Sequence, residues 1–140
     1  MRILTVLALL AVGLGACAQD AETPAPAEAP APIERLAAGE VSAFLASHPD
    51  AVVVDVRTPA EIAQSGKVDG AVELDVNAPD FEGRASNVLV PTQPTVLYCR
   101  SGNRSQQAAE RLRALGFSDL HNAGGFADLK AAGLPTAPQE

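Results

Sequence analysis

The sequence predicts an α/β fold in which a doubly wound parallel sheet carries helices on both faces. Short apolar runs alternate with segments of helical spacing over roughly one hundred residues, as expected for repeated strand and helix units. The run Val52–Val56 is rich in β-branched residues and does not alternate with polar ones, which is typical of a strand buried on both faces. Residues that start helices, such as Thr58 and Pro59, follow directly after it.

The first half of the predicted fold contains two helices and one central strand. An early helix is predicted over Val41–Ala46, and the strand Val52–Val56 follows it. Thr58 can cap the next helix, Pro59 suits the first helical position, and Glu61 can complete a capping box with Thr58. A second helix is therefore predicted to begin immediately after the strand.

The second half repeats the same alternation. Its longest helix has apolar residues on one face, and Gly116 is predicted as its C-cap. A loop that contains glycine precedes this helix, directly after a strand. The predicted elements are the strands Ala71–Leu74, Thr95–Tyr98 and Asp119–Asn122, the loop Arg100–Asn103, and the helices Arg104–Leu115 and Gly125–Ala132.

Composition limits the possible partners. The chain has 140 residues, which suffices for one domain, and its formal charge is -7. It has no run of Lys and Arg that would follow a phosphate backbone, so nucleic acid is excluded as a partner. Two cysteines and two histidines cannot supply a structural zinc site together with a disulfide framework. We predict no metal and no cofactor.

The N-terminus has the pattern of an export signal. Arg2 precedes the apolar run Ile3–Ala16, which is shorter than the roughly 20 residues that cross a bilayer as a helix. Residues 1–16 are therefore predicted to be a signal peptide. The segment Leu14–Cys17 resembles the lipobox of bacterial lipoproteins, and this resemblance implies that Cys17 is acylated and becomes the mature N-terminus. The alternative is an ordinary signal peptide that is cleaved nearby.

Three regions follow the signal peptide. Residues 17–32 are rich in Ala, Pro and acidic residues, and they are predicted to form an extended tether. Residues 33–135 are the predicted folded domain, and residues 136–140 are a C-terminal tail. Two or three acyl chains on Cys17 would anchor the protein stably to the bacterial cell envelope, facing the periplasm. An unacylated product would be a soluble periplasmic protein.

Cys99 is the candidate catalytic residue. Ligands of such sheets bind at the carboxyl ends of the strands, and Cys99 lies where a predicted strand enters a glycine loop and a helix N-terminus. Backbone N–H groups and the helix dipole at this position stabilise a thiolate. Arg100 and Arg104 add positive charge near the thiol. No acidic residue occurs between Glu82 and Glu110, so neighbours in sequence do not offset this charge. The alternative is that Cys99 is a small buried apolar residue of the core.

Asp55 and Arg57 lie at the end of the neighbouring predicted strand. Their position next to the Cys99 loop makes them supporting residues of the candidate site. We interpret them as an ion pair that fixes a buried turn, and we do not predict that either side chain reacts.

Four segments together resemble the single-domain rhodaneses, which are thiosulfate sulfurtransferases. The segment Cys99–Ser105 resembles their active-site loop, Asp55–Glu61 and Gly66–Ala71 resemble two further signatures, and Gly124–Phe126 resembles their closing glycine motif. The resemblance covers residues 33 to 133 and implies a rhodanese-like fold. Lys67 and Phe126 depart from it, because the family usually has histidine and tryptophan there.

The resemblance also implies a function. Cys99 would take the outer sulfur from a small anionic donor, hold it as a persulfide, and pass it to a thiophilic acceptor. No particular protein partner is implied. The loop residues that would bind the donor and the persulfide are Arg100, Ser101, Gly102, Asn103, Arg104 and Ser105.

Two other functions remain open from the sequence. A cysteine-dependent phosphatase or arsenate reductase also uses a thiolate in an anion-binding loop. Tyrosine-phosphatase sites place five residues between cysteine and arginine, whereas four separate Cys99 from Arg104. The smaller loop disfavours a tetrahedral phosphate. The third function is a rhodanese-type module that only binds or senses, although such modules usually lack the cysteine.

Overall fold

The computed structural model describes residues 31–138, and strands and helices alternate along them. In chain order the elements are β1 Glu34–Arg35, α1 Ala38–Ser47, β2 Val52–Asp55, α2 Pro59–Ser65, β3 Lys67–Val68, β4 Val72–Glu73, α3 Phe81–Val88, β5 Thr95–Cys99, α4 Asn103–Ala114, β6 Leu120–Gly125, α5 Phe126–Ala131 and β7 Thr136–Ala137.

The main sheet has five parallel strands in the order β1-β6-β5-β2-β4. β5 lies in the centre, and all five of its residues are buried. It pairs with β2 in a register that places Val54 beside Leu97 and Asp55 beside Tyr98. The carboxyl ends of β2 and β5 therefore lie side by side, as the predicted site requires.

Helices cover both faces of this sheet. Leu97 faces a cluster that includes Phe81 of α3 and Leu112 of α4. Val96, which points to the opposite face, belongs to a second cluster with Val41 of α1. Because side chains alternate along a strand, one buried strand supplies both cores. The prediction of a doubly wound α/β fold is confirmed.

The turn from β2 into α2 forms the predicted capping box. The Thr58 side chain accepts a hydrogen bond from the Glu61 backbone N–H at 3.3 Å, and the Thr58 backbone N–H donates to Glu61 Oε2 at 3.1 Å. Pro59 occupies the first helical turn, where its missing N–H leaves no bond unmade. The helix therefore begins where the sequence indicates.

Several short elements were not predicted. The sequence does not predict α3, because polar residues occupy most of its positions and only Phe81 and Ala85 are buried. β1 and β3 have two residues each, which is too short for an alternation of apolar and polar residues to be recognised. Within the segment predicted as a C-terminal tail, Thr136–Ala137 form β7, which pairs antiparallel with β3.

The predicted signal peptide, Cys17 and the tether up to residue 30 lie outside the described residues. Within residues 31–138 no helix combines the length and the apolar character needed to span a bilayer.

Candidate active site

Cys99 is the last residue of β5, and the chain turns from it through a tight loop into α4. Gly102 makes the turn possible, because its φ of +94° is a conformation that side chains rarely adopt. A Cβ at Gly102 would also lie 3.3 Å from the Gly124 Cα and 3.4 Å from Arg35 Nη2. The loop is therefore packed against β6 and the β1 edge.

The Cys99 sulfur lies among hydrogen-bond donors. The Gly102 backbone N–H donates to Sγ at 3.0 Å, and Ser105 Oγ lies 3.6 Å from it. Burial of the thiol raises its pKa and is the largest single influence. The Ser105 hydroxyl and the backbone N–H groups of Ser105, Ser101 and Gly102 together outweigh burial, so the Cys99 pKa lies below its ordinary value. The site therefore raises the fraction of thiolate above that of an ordinary cysteine.

Asn122 of β6 holds the loop in place, although no motif pointed to it. Its side chain is 1% exposed. Asn122 Nδ2 donates to the Gly102 carbonyl oxygen at 3.0 Å, and Oδ1 accepts from the Gly124 N–H at 3.0 Å. Ser105 Oγ lies 2.8 Å from the same Oδ1. The strand order alone brings Asn122 to this loop, which is why local sequence patterns did not reveal it.

Asp55, Arg57 and Tyr98 form a buried polar network on the other face of the strands. Arg57 Nη2 lies 2.5 Å from Asp55 Oδ2, and Arg57 Nε also donates to Asp55. The Tyr98 hydroxyl donates to Asp55 Oδ2 at 2.6 Å and accepts the Val68 N–H at 2.9 Å. Burial and the Asp55 carboxylate both raise the Tyr98 pKa. Tyr98 precedes Cys99 and points away from it, so this network supports the strand ends without touching the sulfur.

Arg57 also fixes the segment after α2. Its Nη1 donates to Ser65 Oγ at 2.8 Å, and its Nη2 donates to the Gly66 carbonyl oxygen at 2.7 Å. The guanidinium carbon lies 4.2 Å from the centroid of the Phe126 ring. Arg57 is therefore held between β2, α2 and α5.

The two arginines of the loop have different surroundings. Arg104 Nη1 and Nη2 donate to the two carboxylate oxygens of Glu61 at 2.8 and 2.6 Å. Hydrogen bonding to Arg104 lowers the Glu61 pKa to about 2, against the opposing effect of burial. Arg100 is exposed, and within the described part of the chain its side chain makes no ion pair. Of the two cations predicted beside Cys99, only Arg100 is therefore unpaired. Arg104 is neutralised by Glu61 of α2, which lies 43 positions earlier in the sequence.

A cavity of about 360 Å³ opens beside this loop. Cys99 is fully buried and does not line it, whereas the next residue, Arg100, does. The lining combines charged groups with one aromatic ring: Arg57, Glu61, Gln64, Ser65, Arg100, Phe126 and Ala127. A small anion that enters the cavity therefore meets Arg100, the residue that follows Cys99 in the chain.

The remaining predicted residues contribute less directly. Ser101 offers its backbone N–H to the sulfur, and Asn103 is an exposed residue at the start of α4. Lys67 does not line the cavity and pairs with Glu73 at 2.7 Å. Among residues 31–138 no three His, Cys, Asp or Glu side chains are grouped so that they could hold a metal ion.

The fold and the loop together define a class of protein. A five-stranded parallel sheet presents a cysteine at the end of its central strand, inside a loop of converging N–H groups. The family model for the rhodanese-like domain matches residues 37–132, and the chain belongs to this family.

Its relatives are consistent with this assignment. The chain is 36% identical over 101 residues to a protein named sulfurtransferase from Allochromatium vinosum, covering 71% of this chain and 91% of that protein. It is 40% identical over 86 residues to the thiosulfate sulfurtransferase GlpE of Pseudomonas putida, covering 61% of this chain and 74% of that one. The solution structure of a rhodanese-like domain from Anabaena is 27% identical with a TM-score of 0.66, covering 75% of this chain and 79% of that one.

Proposed function

We propose that this protein is a sulfurtransferase that carries sulfane sulfur on Cys99 as a persulfide. The observation that supports the proposal most strongly is the position of the Cys99 sulfur, 3.0 Å from the Gly102 nitrogen in a loop that lowers its pKa. A thiolate in such a loop is a nucleophile ready for covalent transfer. The names of the relatives support sulfur as the group that is transferred.

The first half-reaction loads the enzyme. The Cys99 thiolate attacks the outer sulfur of thiosulfate and forms a new S–S bond. The S–S bond of thiosulfate breaks, and sulfite leaves with the electron pair. The product is a Cys99 persulfide anion, and donation from the Ser101 and Gly102 N–H groups, which contact Sγ, would stabilise negative charge at this end of the loop.

The second half-reaction unloads it. A thiophilic acceptor such as cyanide attacks the outer sulfur of the persulfide, and the S–S bond breaks. Thiocyanate leaves, and the electron pair returns to Cys99 as a thiolate. The transfer is a ping-pong reaction in which donor and acceptor use the same cavity in turn.

A phosphatase or arsenate reductase would need a different use of the same loop. Four residues separate Cys99 from Arg104, and both terminal nitrogens of Arg104 already bind Glu61. Arg104, the arginine whose spacing from Cys99 is compared with that of the phosphatases, therefore presents no free guanidinium fork to a tetrahedral oxyanion. These observations favour sulfur transfer over phosphoryl transfer.

Two assays on the same preparation test the proposed function. We expect the full chain to form thiocyanate from thiosulfate and cyanide, and Cys99→Ser to form none. We expect no hydrolysis of an aryl phosphate by either protein. Phosphate hydrolysis that depends on Cys99 would contradict the proposal. Binding of thiosulfate without any thiocyanate would instead indicate a module that only binds or senses.

We also propose that the protein is lipid-anchored in the bacterial cell envelope and faces the periplasm. The support is the lipobox-like segment Leu14–Cys17, followed by a tether rich in Ala and Pro. In a bacterial host the full chain is expected to partition with membranes into detergent, whereas Cys17→Ser is expected to remain unacylated. Recovery of the wild-type protein only from the soluble periplasmic fraction would show that no anchor is present.

A further inference from the structure

Glu61 contributes to both the fold and the cavity. As the third residue of α2 it completes the capping box with Thr58. The same carboxylate binds Arg104 at the start of α4 through two hydrogen bonds, of 2.8 and 2.6 Å. Glu61 also lines the cavity in front of the Cys99 loop. One carboxylate therefore joins two helices and sets part of the charge that a ligand meets.

The charges around the cavity can be assigned to pairs. The Arg57 guanidinium is neutralised by Asp55 at 2.5 Å, and the Arg104 guanidinium is neutralised by Glu61 at 2.6 Å. Arg100 lines the cavity and makes no ion pair within residues 31–138. Of Arg57, Arg100 and Arg104, only Arg100 offers uncompensated charge to the cavity.

One uncompensated cation matches one negative charge on the donor. A dianion such as thiosulfate brings a second charge, for which no second unpaired cation lines the cavity among the described residues, because Glu61 neutralises Arg104. Opposite charges a few ångströms apart attract, and this attraction is least screened where solvent is partly excluded. Charge matching therefore favours donors that carry a single negative charge.

On the basis of the sulfur transfer proposed above, we propose that Glu61 is a specificity-determining residue. It neutralises Arg104, and it thereby makes the site selective for monoanionic sulfane-sulfur donors over dianionic ones. With such a donor, R–S–S⁻, the Cys99 thiolate attacks the outer sulfur, the donor S–S bond breaks, and R–S⁻ leaves with the electron pair. Thiosulfate follows the same course but is disfavoured by its second charge.

Two donors separate the effect of charge from that of chemistry. Methanethiosulfonate is a monoanion that resembles thiosulfate except that a methyl group replaces one charged oxygen. The quantity measured is kcat/KM for thiosulfate divided by kcat/KM for methanethiosulfonate. Comparing this ratio among variants cancels the intrinsic reactivities of the two donors.

Glu61→Gln keeps an oxygen that can accept the Thr58 N–H but removes the charge. We expect the ratio to rise on the order of three- to tenfold, the effect of one unit charge about 4 Å away when bulk water screens it. Arg104→Gln is expected to lower the ratio, because it leaves the Glu61 carboxylate uncompensated. The opposite directions of these two effects distinguish a charge effect from a general loss of structure.

Glu82→Gln is the matched control. Glu82 pairs with Arg111 of α4 at 2.6 Å, so this substitution frees an arginine and changes the net charge by the same amount. Arg111 lies two helical turns beyond Arg104, about 10 Å further along the helix. We expect Glu82→Gln to leave the donor ratio at the wild-type value.

Alkylation of Cys99 tests the same inference without sulfur transfer. The rate constant for anionic iodoacetate divided by that for neutral iodoacetamide should also rise three- to tenfold in Glu61→Gln. Unchanged donor and alkylation ratios in Glu61→Gln would overturn the role of Glu61 and leave the sulfur transfer intact. A raised alkylation ratio in a protein that uses neither donor would retain the charge effect and reject the proposed function.

Discussion

The buried ion pair between Asp55 and Arg57 supports the strongest prediction on stability. Asp55→Asn preserves shape but removes the charge that faces Arg57, which is 4% exposed. The substitution also replaces an acceptor of the Tyr98 hydroxyl and of two Arg57 nitrogens with a group that can donate. Breaking one partner of a buried pair costs about 3 to 5 kcal/mol. Because Arg57 keeps Ser65 and Gly66 as partners, we expect a loss of about 3 kcal/mol, at the lower end of this range.

Urea denaturation followed by circular dichroism measures this loss. Asp69→Asn is the control, because Asp69 is exposed and the substitution removes the same charge. Thiocyanate formation should fall less in Asp55→Asn than in Cys99→Ser when both are assayed under conditions where Asp55→Asn is folded. A variant that kept wild-type stability while losing all turnover would refute the structural role, and Asp55 would then have to act in the reaction.

Two further predictions concern protonation. Ser105→Ala removes the hydroxyl that lies 3.6 Å from the sulfur and is expected to raise the Cys99 pKa. The pH profile of iodoacetamide alkylation should then shift to higher pH. An unchanged profile would show that the backbone N–H groups alone suffice to lower the Cys99 pKa. The Glu61 pKa is lowered to about 2 in the folded protein, so its pairing stabilises the fold above the ordinary pKa of 4.5, and this contribution is lost as the pH falls through 2. The melting temperatures of wild type and Glu61→Gln should therefore differ at pH 7 and converge as the pH falls from 4.5 toward 2, and a constant difference would contradict this linkage.

Sequence patterns formed by neighbouring residues predict much of the fold. The run Val52–Val56 and the Thr58 capping box depend on neighbours in sequence, and both elements form where they are predicted. The same holds for the strand that ends in the Cys99 loop, which extends one residue beyond the predicted Tyr98. β7 could not be predicted this way, because its two residues are ordered by pairing with β3, almost seventy residues earlier in the chain.

In the candidate site, too, contacts between neighbours in sequence are predictable and contacts between distant segments are not. Cys99 and its glycine loop were found from the sequence, because the strand, the loop and the helix follow one another directly. The partner of Arg104 was not found, because Glu61 is separated from it by 43 residues. The absence of acidic residues near Arg104 in sequence suggested a free cation, and the strand order then placed a carboxylate against it. Asn122 was missed for the same reason.

The intact mass of the full chain tests the central claim most directly. After incubation with thiosulfate and removal of excess donor, the protein is expected to gain one sulfur atom, about 32 Da, on Cys99. Cyanide should return the mass to its starting value, and Cys99→Ser should never gain the sulfur. A wild-type protein whose mass stays unchanged with thiosulfate and with methanethiosulfonate would contradict sulfur transfer through Cys99.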